Sequence, residues 1–112
     1  MGRRRKIPTV QPDPIQTIHG AYPKATLDLH GLVAAQAERR ILTFVQGWAE
    51  REPGVVLRII TGKGANSEGS PVLRGRLLEL LGGPLKGWVA EWATEVGGGS
   101  YLVRVQVGRS PR

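Results

Sequence analysis

Asp28-Leu29-His30-Gly31 sets a carboxylate and an imidazole two residues apart. On an extended strand such residues project from the same face, within reach of one another. The carboxylate can then orient the ring and favour its charged form, or the two groups can share a divalent metal. Magnesium or manganese would suit that second use, with Asp28 the candidate ligand. A surface Asp–His pair without chemistry is the plainer alternative. Thr61-Gly62-Lys63-Gly64 is the second constellation. Its glycines let backbone N–H groups approach a phosphate, and Lys63 adds positive charge. No Gly-Lys-Ser/Thr ends this loop, and Ser67 stands where a dinucleotide fingerprint needs its third glycine. Together the two motifs describe an acid/base pair facing a phosphate cradle.

The elements that must position them follow from periodicity. Thr26 to His30 alternates as a short strand and stops at Gly31, with Leu27 and Leu29 on one face and Asp28 and His30 on the other. From Ala34 to Glu52, the apolar residues Ala37, Ile41, Phe44, Val45 and Trp48 share one helical face, opposite Glu38, Arg39, Gln46 and Glu50. Val33 is a poor cap, and Pro53-Gly54 ends the helix. Val55 to Ile60 is a β-branched apolar run, the pattern of a central strand. Ser70-Pro71 opens a second helix, buried through Leu73, Leu77, Leu80 and Leu81 and stopped at Gly82-Gly83-Pro84. Trp88 to Ala93 and Tyr101 to Val107 are two further strands, joined antiparallel through a mobile Gly97-Gly98-Gly99 connection. Trp88, Trp92 and Tyr101 could stack bases if exposed, but strand alternation sends the tryptophans toward the core.

The order βαβαββ, with only two helices, predicts an α/β two-layer sandwich with a mixed four-stranded sheet and one open face. Arg58, Arg104 and Gln106 fall on the open side, a basic and polar platform. Both chemical motifs lie at carboxyl ends of strands, where open α/β sheets bind ligands.

The 112 residues make one domain, contain no Cys and carry a formal charge of +7. A disulfide framework, a thiolate zinc site and a cysteine nucleophile are therefore excluded. No apolar run reaches the length of a membrane span, so a soluble cytoplasmic protein, taken as a monomer, is expected. Residues 1–26 hold Arg3, Arg4, Arg5, Lys6 and Lys24 against Asp13 and read as a flexible Pro-containing arm. Residues 27–108 hold nine basic and eight acidic residues, and 109–112 form a basic tail. A nearly neutral body with basic ends suits a polyanionic partner, although a solvated tail has the same composition. His19-Gly20 echoes His30-Gly31 within the arm.

Leu27 to Gly31, Ile59 to Gly64, Ser70 to Arg74 and Tyr101 to Val105 resemble the small MutS-related (Smr) domain over nearly all of the ordered chain. The resemblance implies a fold similar to the C-terminal domain of translation initiation factor three. It implies an endonuclease that nicks branched or structured DNA, or cleaves RNA, with an association to DNA repair. Asp28 and His30 become the implied catalytic residues. The second motif occurs here in its Thr form, at Thr61, Gly62, Lys63 and Gly64, without a second imidazole. Arg74, Arg76, Arg104 and the arm residues Arg3, Arg4, Arg5 and Lys6 are expected to add phosphate contacts. A non-catalytic nucleic-acid- or ribosome-binding module is the alternative, and an enzyme of small phosphate esters a weaker one.

Overall fold

The computed structural model describes residues 18–62 and 70–108. Lys63, Gly64, Arg3, Arg4, Arg5, Lys6 and the tail 109–112 lie outside the described residues. Strands β1 (Ala25–Asp28), β2 (Val56–Ile60), β3 (Val89–Thr94) and β4 (Ser100–Val105) alternate with α1 (Ala34–Arg51) and α2 (Ser70–Gly82) in the expected order. They form one mixed sheet in the order β1-β2-β4-β3. β1 runs parallel to β2, while β2–β4 and β4–β3 are antiparallel.

Both helices cover the same sheet face. Ala37, Ile41, Val45 and Ala49, four residues apart on α1, meet Leu73, Leu77, Leu80 and Leu81 of α2 over Leu57, Ile59, Tyr101, Val103 and Val105. Phe44 and Trp48 are only half-buried at the rim of that stripe. Val33 caps α1 with no side-chain bond, and Gly54, at φ +99°, turns the chain out of the helix and into β2.

Three local readings need correction. β1 spans Ala25–Asp28 rather than Thr26 to His30, because the Asp28 side chain captures the His30 amide and turns the chain out of the ladder. The glycine connection is tied down, not loose: the Gly99 carbonyl accepts from the Thr61 and Gly62 amides at 3.0 and 3.2 Å. Simple alternation also fails in β3. Trp88 packs against the core as expected, but from a 3-10 turn, Lys86–Trp88, and the register slips between Val89 and Glu91. This bulge leaves both Val89 and Trp92 on the helix side. Trp92 stays 42 % exposed there, tilted against Tyr101.

The open face is neither open nor basic. A 3-10 turn, Ile18–Gly20, folds back across it, and buried Ile18 seals onto Val56 and Leu102 beside Ala21 and Ala93. Arg58 meets Glu95 through two bonds, at 2.7 and 2.8 Å, and Ser100 donates to the same carboxylate. Arg104 bonds Glu91 at 2.9 Å and the Gly54 carbonyl at 3.1 Å. The platform's cations are thus neutralised from within the sheet.

The Arg58 bonds hold the Glu95 carboxyl below the ordinary glutamate value of 4.5, against the opposing pull of burial. A depressed carboxyl contributes stability above its unfolded pKa and loses it as pH falls through the folded one. Glu95→Gln should therefore lower unfolding stability by roughly 1 kcal/mol at neutral pH. In urea titrations at stepped pH, that gap should stay constant above about 4.5 and close below it.

Candidate active site

Three chain reversals meet at the carboxyl ends of β1 and β2. The first is the Asp28–Gly31 turn. Leu29 is fully buried, and its amide donates to the Ile60 carbonyl at 2.8 Å, one more rung of the parallel ladder. Burial of Leu29 between two exposed neighbours forces Asp28 and His30 outward. Asp28 Oδ1 accepts from the His30 backbone N–H at 3.1 Å, the bond of an Asx turn, and stands 2.9 Å from His30 Nδ1. Gly31 follows at φ +82°, a left-handed conformation that only glycine adopts without strain.

The two bonds have an electrostatic consequence. The His30 side-chain bond, then its backbone bond, hold the Asp28 carboxyl below the ordinary value of 3.8. Asp28 is ionised at neutral pH and can only accept, so His30 Nδ1 carries the proton in that bond. In neutral imidazole this leaves Nε2 with the lone pair, on a side chain 75 % exposed. A fixed tautomer with an outward basic nitrogen is what a proton-transfer group requires.

The second reversal is Thr61-Gly62, beside the first because Asp28 pairs with Ile60 in register. Thr61 is 1 % exposed, with its hydroxyl 3.5 Å from the Gly99 carbonyl, so it belongs to the framework. The Gly62 amide, a candidate phosphate donor, is directed at Gly99. Gly99, on the third reversal, is the positioning residue that sequence reasoning missed. The triple glycine was its signal, but the partner lies 38 residues away.

The expected arginines do not all gather here. Arg104 pairs with Val56 at the far end of β2, four residues from Ile60. Arg76 lies 3.7 Å from Glu38 and 3.5 Å from Glu79, spanning the two helices. Arg74, near Tyr101, has no ion pair among the described residues. As for a metal, Asp28 Oδ2 accepts nothing, and no group of three His, Cys, Asp or Glu converges among the described residues. Among the described residues, Asp28 is the group at this turn that could hold a divalent cation. Among them no helix is long and apolar enough to cross a membrane.

The family described as the Smr domain matches residues 27–106 of the chain. No curated protein matches it at a significant level.

Leu29 and His30 can be separated by experiment. Leu29→Ala should cost about 2–5 kcal/mol in chemical denaturation, because it opens a cavity under the turn. His30→Ala, on an exposed side chain, should stay within about 0.5 kcal/mol of wild type.

Proposed function

The chain belongs to the Smr domain family, a family of nuclease-like nucleic-acid-binding domains, and we propose that it makes single-strand cuts in nucleic acid. The observation that carries this reading is the 2.9 Å contact between Asp28 Oδ1 and His30 Nδ1 at an exposed strand end. His30 is the proton-transfer residue, and Asp28 fixes its tautomer and stabilises the imidazolium as it forms.

On RNA the chemistry is compact. His30 Nε2 takes the proton of a 2′-hydroxyl, and the 2′-oxygen attacks the adjacent phosphorus. The P–O5′ bond breaks, the leaving oxygen takes a proton from water, His30 returns its proton to solvent, and a cyclic phosphate and a 5′-hydroxyl remain. On DNA a water replaces the internal nucleophile, and a divalent cation carried with the phosphates would help to activate it. Lys63, next to Gly62 in sequence, is the proposed cation for the scissile phosphate. Arg74 is a better candidate for an outer phosphate contact than Arg76 or Arg104, which are engaged by carboxylates. Arg3, Arg4, Arg5 and Lys6 add sequence-independent attraction.

A time course on labelled RNA and supercoiled plasmid, with magnesium or with EDTA, tests the proposal. His30→Ala should lower cutting by about 10²–10⁴-fold and affinity by less than about twofold. Asp28→Asn keeps an oxygen for the turn but loses the charge, and should cut at an intermediate rate. Equal loss of cutting and binding by folded His30→Ala, or unchanged cutting, overturns the catalytic assignment. Retained binding with no turnover in wild type marks a binding module instead.

A further inference from the structure

On the helix side of β1, the turn that carries His30 continues into a groove of about 600 Å³ between that strand and α1. Its apolar surfaces are Leu27, Leu32 and Phe44, all half-buried, and Gln36 and Thr43 stand along it. Leu27 adjoins Asp28 and Leu32 adjoins Gly31, so the groove begins where the catalytic turn ends. Gln36, Arg39, Arg40 and Thr43 recur at helical spacing, so they share one stripe of α1, about 10 Å long at 1.5 Å per residue.

The charges single this groove out. Lys24, Arg58, Arg76 and Arg104 each have a carboxylate partner, and Arg51 lies 4.7 Å over the Trp48 ring. Lys86 lines its hollow together with Glu91. Arg39, Arg40 and Arg74 have no ion-pair partner among the described residues, and of these Arg39 and Arg40 line the one groove. Two unneutralised guanidiniums beside an apolar floor with an aromatic ring match one strand of nucleic acid, whose phosphates are anionic and whose unstacked bases are flat and apolar on their faces. A paired duplex does not fit the same description, because its base faces are already covered by their neighbours.

We propose that this groove holds the unpaired nucleotides next to the scissile bond, with a base against Phe44 and phosphates on Arg39 and Arg40. The enzyme then selects single-stranded or locally unpaired segments, leading them along α1 to His30. The inference rests on the nucleic-acid reading above, adding to it the structure of the substrate.

Fluorescence anisotropy of the full chain in EDTA, carrying His30→Ala so that the RNA stays intact, tests it, using twelve-residue oligouridine, oligothymidine and a twelve-pair duplex. Arg39→Gln/Arg40→Gln should weaken both single strands by on the order of tenfold near 0.1 M salt, and lower the slope of log K against log salt by about 1.4. Phe44→Leu, which keeps the apolar volume, should weaken single strands by about fivefold and leave the duplex unchanged. Arg51→Gln/Lys86→Gln removes the same charge elsewhere and should change affinity by less than about twofold at 0.15 M salt. Wild-type affinity of the Arg39/Arg40 variant for both single strands overturns the proposal, as does equal loss on strand and duplex. So does displacement of bound strand by polyglutamate at equal charge concentration, which would mark an acidic-peptide groove. A dimer that these substitutions dissociate would mark a contact between copies. Cutting that ignores His30 while the groove variants still lose strand binding removes the catalytic reading alone. Absence of nucleic-acid binding removes both.

Discussion

One carboxylate oxygen organises the end of the sheet. Asp28 Oδ1 takes the His30 amide and faces the His30 ring, so the bond that ends β1 is made by the same atom that sets the tautomer of the imidazole. Leu29 completes the arrangement from below, since its burial decides which way its two neighbours point. Backbone termination, ring orientation and surface placement are therefore coupled within four residues. Little else in the molecule needs to know about them, except the adjoining strand end that Gly99 holds in place.

The two sheet faces have divided the charges in a way that net charge conceals. On the face without helices, arginines meet glutamates from the neighbouring strand and hairpin, and Ile18 closes the apolar middle. On the helical side, α1 carries Arg39, Arg40 and Arg51, none with a carboxylate partner among the described residues, and the first two line one groove. A nearly neutral body can still present a local positive field when its ion pairs are concentrated elsewhere.

Most of the fold was legible in the sequence because it rests on repeated local signals. Ala37, Ile41 and Val45 give the period of α1, the β-branched run from Val55 to Ile60 gives β2, and the paired glycines and prolines mark the ends. Asp28 and His30 were legible for the same reason, lying two apart around a leucine. What escaped the sequence depends on long separations or single residues. Glu95 neutralises Arg58 from 37 positions away, and nothing near Arg58 announces it. Ile18 seals the sheet alone, so it leaves no period in a segment otherwise read as arm. The Trp88, Ala90, Trp92 alternation was genuine, but a 3-10 turn and a bulge broke its phase.

The bulge in β3 has a consequence for how the molecule behaves in company. β3 and β1 are the two rims of the sheet, the places where a second chain would add itself and start a fibril. On β3 the slipped register twists the rim next to Ala90, and Glu91 stands beside the defect. β1 is only four residues long and is preceded closely by Pro23. Neither rim is the long, flat, uncharged template that cross-strand polymerisation needs, so crowding on a nucleic-acid lattice would bring copies together without inviting them to zip.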